Sequence, residues 1–410
     1  MPRLAPALWF RLRAAGRRPF TGAGSISPLT GTGRDERFDF IRGLAMLLVV
    51  VNHIGIPSLY QVVTMEAIGV VTGAEIFVLV SGTILGLIYR PRLERDGWAR
   101  SMVPVWRRAM KLYLVVVITN LTIYLFQWLV PVIDHTVLTT YMDPASHKVW
   151  SLFGEDPAPA QLVYKVLTLQ YGASQINVLG LYVVLVAIAP LLLWLLYRGH
   201  VVALLVASWG IYALHTLHPV RVLSLQSELA FPALTWQLLF VHGMAAGYHR
   251  RALTAALGGQ TGRRLMTAAA VLLAAFSFYA LNNPWFEIPL SLRFRLIPEH
   301  DFGWVYYYFF DRKSLGIGRI ANTFLLVGLL YALLTRYWQS CRRILGWLCI
   351  PIGMATLYVF IVHVAFVLLV DNMPLLQQKS LVLNTIAHTM VIASLWVMVG
   401  TRFLFRWIPR

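Results

Sequence analysis

From about residue 37 to its end, the chain alternates long apolar runs with short polar stretches. A membrane span takes roughly 20 apolar residues to cross about 30 Å of hydrocarbon. By that measure the pattern predicts ten helices, near residues 39–58, 66–89, 112–133, 176–197, 201–217, 229–247, 265–282, 320–338, 347–370 and 382–405. Two predicted outer segments, 134–175 and 283–319, are longer than a connection needs. The first holds "VYKVLTLQYGASQINVLGLY", whose start reads as a short interfacial or re-entrant helix. In the second, the aromatic density of "FGWVYYYFFDRKSLGIGR" argues for packing over disorder.

Composition agrees with the pattern. Of 410 residues, 58% are hydrophobic and 13% charged, with a mean hydropathy of +0.67. Such values exclude an ordinary soluble domain and imply an all-α, polytopic integral membrane protein. The net charge of +18 does not point to nucleic acid, because the basic residues sit in short clusters between apolar runs. They read as topology signals. Clusters before the first run, after the second (Arg90 to Lys111), after the sixth (Arg250, Arg251, Arg263, Arg264) and after the eighth (Arg336, Arg342, Arg343) alternate with acidic or nearly neutral loops. That alternation places both termini in the cytosol of a multi-pass protein of the cytoplasmic (inner) membrane.

Residues 1–36, rich in Arg, Gly, Pro and Ser, read as a basic, disordered cytosolic tail ahead of one transmembrane domain, 37–410. "LWFRLRAAGRRPF" within the tail fits an anionic membrane surface and a solvated tail equally well. No short apolar core with a small-residue cleavage site marks a cleavable signal peptide. Cys341 and Cys349 form neither a disulfide framework nor a metal spacing.

The first helix carries the most informative polar residues. In "RFDFIRGLAMLLVVVNHIG" (37–55), Arg42 and His53 are eleven residues apart, about 20° of rotation and about 16 Å of rise, and Asp39 lies about 40° from His53. All three share one face. Ionisable groups inside a membrane face a bundle interior or a watery cavity and are functional by default. A plainer reading stays open beside that one: Asp39 caps the helix, Arg42 snorkels to the headgroups, and His53 is a satisfied buried histidine.

Other spans bring ionisable groups to the same depth. Glu75 and His53 each lie 14 residues from the predicted cytosolic end of their helices, about 21 Å up, and His363 reaches about 24 Å. This predicts a common cavity in the outer half of the membrane, with Glu75 as the partner of His53. On the cytosolic side, "WRRAMKLYL" sets Arg107, Arg108 and Lys111 at the start of the third helix, with Arg108 and Lys111 on one face. They suit positive-inside anchoring and also a phosphate clamp.

These residues carry a resemblance. Arg42, ten intervening residues and His53, with "DFIRGLAM" ahead, resemble the first-helix signature of the membrane acyltransferase family 3 superfamily. "GAEIFVLVSG" (73–82) is similar to its second-helix segment, "WRRAMKLYL" to its basic third-helix start, and "IGMATLYVFIVHVAF" to its late histidine-bearing helix. Within that superfamily, "VLGLYVVLVAIAPLLL", "WQLLFVHG" and "FFDRKSLGIGR" resemble the OpgC-type branch, the succinyltransferases of osmoregulated periplasmic glucans. The likeness runs from about residue 35 to the C-terminus. Asn52, where that branch commonly has Asp, and His242 depart from it.

The resemblance implies a fold of about ten transmembrane helices around a membrane-embedded cavity. It implies O-acyl transfer from cytosolic acyl-CoA, a co-substrate and not a bound cofactor, to a hydroxyl of an extracytoplasmic glucan, envelope polysaccharide or glycolipid. Succinyl is the favoured acyl group and acetyl the alternative. Arg42, Arg107, Arg108 and Lys111 would hold the donor's phosphates, and His53, with Glu75, would act as general base. Asp39 would help organise the donor side. Trp236, Gln237, Asp311, Lys313, Arg319 and His363 would shape the substrate side, although ordinary interface aromatics and loop charges account for several of them equally well.

The competing class is a transporter or flippase using His53, Glu75 and His363 as pathway or proton-relay groups, against which stands the missing internal repeat. His135, His147, His215, His218 and His300 fall in outer loops or at span ends, and His200 and His249 at cytosolic ends, without metal-ligand spacing. The "NLT" at Asn120 lies inside a span and is discounted for glycosylation.

Overall fold

A computed structural model describes residues 34–409 except 65, 67, 143–147, 155–156, 222, 286–293 and 378–379. The expected basic tail ahead of residue 34, with its surface-seeking segment, and His147 lie outside the described residues.

Local sequence sets where the helices start and stop. Helix α1 (Glu36–Ile54) begins at Asp35, whose side chain accepts the Arg37 N–H at 3.1 Å. It ends at Gly55, whose φ of 70° turns its N–H back to the Val51 carbonyl. Helix α2 (Gly73–Leu129) opens with a reciprocal cap: the Thr72 side chain accepts the Ala74 N–H, and the Glu75 carboxylate accepts the Thr72 N–H at 3.0 Å. At Gly97 (φ 74°, ψ 172°) α2 breaks into two arms. The other main helices are α3 (Asn177–Tyr197), α4 (Val201–Leu217), α5 (Ala233–Tyr248), α6 (Gly259–Ala280), α7 (Ile317–Arg336), α8 (Trp347–Met354), α9 (Thr356–Asp371) and α10 (Leu381–Thr401).

Small residues let the central helices touch backbone to backbone. Gly82 and Gly86 of α2 press on the carbonyls of Phe240 and Met244 in α5, while Gly243 and Gly247 of α5 press on those of Leu79 and Thr83. A Cβ at any of the four would enter a carbonyl, so each face is a four-residue glycine step fitted to the other. The same device joins α1 to α8, where Gly43 meets the Cys349 carbonyl and Gly353 meets that of Asp39. Around these contacts lies one apolar core built mainly from α1, α2, α3, α5, α8 and α9. Most of α6 is exposed, as a helix facing lipid would be.

Among the described residues, five helices are long and apolar enough to cross a membrane: α2, the stretch Ser174–Tyr197 containing α3, α6, α7 and α10. A sixth arises if Trp338–Met354 and α9, bent by 92° at their junction, count as one broken span. This membrane protein therefore does not match the expected ten spans by helix length and composition. The reasons are physical. Glu36, Arg37, Asp39 and Arg42 put charge into the first two turns of α1, α4 and α5 are short, and two expected spans are arms of the single broken helix α2.

Both long segments are structured where they are described. In the first, strands β1 (Thr140–Met142) and β2 (Val149–Ser151) pair antiparallel, with Tyr141 opposite Trp150. The expected short helix follows at Pro159–Leu167, burying Leu162 and Val166. In the second, Phe302 stacks on Tyr279 at 4.5 Å and meets Trp285 edge-on, and Phe310 stacks on Tyr279 at 5.1 Å.

Candidate active site

Helices α1 and α9 run side by side in the same direction and are bridged twice. Near the start of each, the Arg42 guanidinium donates to the hydroxyl of Thr356, the first residue of α9 after the 92° bend. Farther along, His53 Nδ1 lies 2.8 Å from His363 Nε2, the two rings stacked with centroids 5.1 Å apart and Phe360 edge-on to both. From Arg42 to His53 the rise is about 16 Å.

A cavity of about 1180 Å³ opens along this pair of helices. Its basic end is formed by Arg42, Arg107, Arg108 and Lys111, which make no ion pair among the described residues. Arg42 and Arg108 are close enough to repel one another, with Tyr182 beside both, and Arg42 Nε is buried without a hydrogen-bond partner. Clustered cations without an ion-pair partner among the described residues suit a polyanion, and the N-terminus of α9 adds donors there. At the other end His53 and Asn52 share the wall with Glu66, Tyr306, Asp311, Arg312, Lys313 and, from β1, Tyr141.

Several expected site residues stand elsewhere. Glu75 does not pair with His53: its carboxylate holds the Arg319 guanidinium at 2.7 Å and caps α2. Arg319, fully buried, also grips Glu66 at 2.5 Å and reaches the Tyr306 hydroxyl at 2.9 Å. A bidentate-capable cation at full burial outcompetes an imidazole for the carboxylate, which corrects that expectation. Trp236 is fully buried, packed edge-on against Phe231, and Gln237 is used up by Ser208, bonding its hydroxyl at 2.8 Å and its carbonyl at 2.9 Å. Neither lines the cavity. The Asp39 carboxylate accepts two hydrogen bonds from the Arg34 guanidinium, at 2.6 and 2.7 Å, off the cavity wall. Asp311 and Lys313 do line it.

The family model described as "OpgC protein" matches residues 34–407, nearly the whole chain. The chain belongs to the OpgC family. No curated protein and no solved structure matches it. OpgC membership, together with the apolar helices, suggests a membrane glucan acyltransferase as the class of protein.

Among the wall residues of this OpgC-family cavity that the sequence did not single out are Glu66, Tyr182, Arg312 and Thr356. Arg312 adjoins the quoted Asp311 and Lys313 and was available from that motif. Glu66 gave a weaker signal, since its side of the chain lies between helices and its backbone is left-handed at φ 62°.

Proposed function

We propose that this OpgC-family protein transfers an acyl group from acyl-coenzyme A to a hydroxyl of an extracytoplasmic glucan or related envelope glycan. The observation that carries the reading is one cavity with Arg42, Arg107, Arg108 and Lys111, which make no ion pair among the described residues, at one end and His53 at the other. In this reading the basic end faces the cytosol, both termini lie there, and the shorter and broken helices complete about ten crossings.

The donor's phosphates sit on the four cations, and its pantetheine arm follows α1 toward His53. Charge-assisted bonds from Arg suit phosphate oxygens in geometry as well as charge. The acceptor approaches from the opposite mouth, past Tyr306, Asp311 and Lys313.

In the productive tautomer His363 carries its own proton on Nδ1, which is buried without a hydrogen-bond partner among the described residues, and offers Nε2 to His53. His363 Nε2 then accepts the proton of His53 Nδ1, which leaves a lone pair on His53 Nε2. That nitrogen takes the proton of the acceptor hydroxyl as its oxygen attacks the thioester carbonyl. The tetrahedral intermediate collapses with cleavage of the C–S bond, and the imidazolium returns its proton to the departing thiolate. The products are an O-acyl ester and coenzyme A, with His53 neutral again.

The test is transfer of radiolabel from a panel of acyl-coenzyme A donors to cell-envelope glycans in membranes carrying wild-type protein or His53→Ala. Label that reaches glycan only with His53 present supports the reading, and the preferred donor names the acyl group. Label that is absent, or that persists without His53, removes the catalytic assignment and favours transport of a sugar- or lipid-linked substrate.

A further inference from the structure

Beside the basic end of the cavity runs a second hollow, a groove of about 700 Å³ that shares two residues with it, Arg107 and Lys111. One wall is the second arm of α2, which contributes those two cations and, deeper, Leu114 and Ile118. The other is the chain just past α10, with Arg406 and Trp407. Local backbone puts that segment there: α10 ends at Arg402, left-handed at φ 57°, and Leu404 is left-handed as well, so the chain turns instead of continuing the helix. Phe405 then packs edge-on against Tyr358, ring centroids 4.7 Å apart, which fixes the segment to α9, the helix that carries Thr356.

The groove changes character along its length. Arg107, Lys111, Leu114 and Ile118 follow the spacing of one helical face, so its two cations are succeeded by an apolar stripe. Leu114 and Ile118 are exposed, and the rise from Lys111 to Ile118 is about 10 Å, within the roughly 15 Å of hydrocarbon that one leaflet provides. Arg406 adds a third cation, its guanidinium 5.7 Å from the centroid of Trp407, an aromatic suited to the headgroup level. Among the described residues none of the three cations makes an ion pair, and no carboxylate lines the groove. Cations at one end and an apolar stripe of leaflet depth beyond them match a phospholipid, phosphate first and acyl chain after. A zwitterionic lipid would bring a further positive charge to these cations, and an anionic one would not. A second copy of the chain meeting this face about a two-fold axis would set like charges against each other.

We propose that this groove binds an anionic phospholipid of the cytosolic leaflet, its phosphate held by Arg107, Lys111 and Arg406 and an acyl chain lying along Leu114 and Ile118. The leaflet rests on the cytosolic placement of the basic end given under the proposed function. Because Arg107 and Lys111 also line the donor end, lipid and donor draw on the same two charges, and each weakens the binding of the other by the same factor. The lipid around the protein thereby sets the apparent affinity for the donor.

The test uses the purified full chain in phosphatidylcholine vesicles that carry a trace of photoactivatable phosphatidylglycerol or photoactivatable phosphatidylcholine, with cross-linked peptides mapped by mass spectrometry. Wild type is expected to be labelled about fivefold or more by the phosphatidylglycerol probe relative to the other, the weight of one basic residue at an anionic lipid, and the label should fall within 107–118 and 405–409. Arg406→Gln removes a cation that the reaction cavity does not use, and Leu114→Trp fills the groove without changing its charge. Each should bring the two probes within about twofold of one another. Coenzyme A binding is the second readout. In pure phosphatidylcholine, wild type and Arg406→Gln should bind it within about twofold, and added phosphatidylglycerol should weaken it about twofold or more further in wild type, since general surface charge acts on both alike. Equal labelling of wild type by the two probes, or a preference that survives both variants, overturns the lipid site. Equal weakening by phosphatidylglycerol in both proteins overturns the coupling. A tenfold loss of coenzyme A affinity for Arg406→Gln in pure phosphatidylcholine assigns the groove to the donor itself and also overturns the proposal. Coenzyme A that binds neither protein rejects the donor reading, while the labelling still decides the lipid site.

Discussion

His53 Nδ1 and His363 Nε2 face each other at 2.8 Å, so one of the two nitrogens donates and the other accepts. With His53 as the donor, its Nε2 is left free to act as the base. His53→Ala should lower kcat by about 10²–10⁴-fold, the usual weight of a general base. His363→Ala should lower kcat less, about five- to tenfold, the worth of one orienting hydrogen bond. His363→Gln, whose amide oxygen accepts from His53 Nδ1, should recover part of that loss. Steady-state kinetics with the donor KM measured alongside checks this: a structural role for His363 would shift expression and KM together, whereas a positioning role moves kcat.

Arg42 and Arg108 repel each other at the opposite end of the cavity, and an anion bound between them would relieve this. Replacing Arg108 by Ala should weaken donor binding by about 10–100-fold, the range for one charge-assisted bond. The kcat at saturating donor should change far less. Equilibrium binding of coenzyme A to the wild type and the variant measures it, and equal affinities would remove Arg108 from the donor site.

Arg319 is held between Glu66 and Glu75, so the three side chains do not respond alike to substitution. Arg319→Leu leaves two buried carboxylates facing each other and should cost about 3–5 kcal/mol or more. Glu75→Gln leaves the Arg319–Glu66 pair intact and should cost about 1.5 kcal/mol. Thermal unfolding in detergent should therefore show a large drop in midpoint for the first and a small one for the second. A catalytic Glu75 would give the reverse signature, near-wild-type melting with lost turnover.

Ahead of α1, Asp35 ties three helices together. Its buried carboxylate meets Arg37 and, at 2.7 Å, Arg250, while Tyr331 of α7 donates to it at 3.1 Å and Arg37 reaches Thr335 at 2.7 Å. Burial works to raise the Asp35 pKa, but the hydrogen bonds and charge of Arg37, with the charge of Arg250, hold it below the usual carboxylate range. A carboxyl depressed on folding contributes fully above its unfolded value, about 3.9, and loses that contribution as pH falls below it. Asp35→Asn should cost about 3 kcal/mol, the low end for a broken buried pair because Arg250 keeps partial exposure. The melting-temperature difference between wild type and Asp35→Asn should shrink as the pH is lowered through about 4.

The face shared by Arg42 and His53 was legible because both residues belong to one helix, whose period fixes their relation. The depth shared by His53 and His363 was legible for a similar reason, from counting along each span, yet their pairing belongs to the packing of two helices 310 positions apart. Glu75 shows where counting failed. Thr72-Gly-Ala-Glu75 is a capping-box pattern, readable as a helix start, and it places Glu75 at the mouth of α2 beside Arg319. Trp236 and Gln237 failed because an apolar helix with a weak polar pattern does not declare which face meets a cavity. The number of crossings was obscured by Gly97, a φ-positive break inside a continuous helix, and by the bend before Thr356, where neither Gly nor Pro stands at the junction residue Ala355.

In the proposed reaction donor and acceptor meet through the membrane, at His53, from opposite ends of one cavity. The most direct measurement reconstitutes the protein in sealed vesicles of known orientation and supplies labelled acyl-coenzyme A on one face and glycan acceptor on the other. Label should reach the glycan only when the donor is on the face bearing Arg107 and Arg108, and His53→Ala should abolish it while donor binding remains. Transfer from the opposite face, or equal transfer with His53→Ala, would contradict the account.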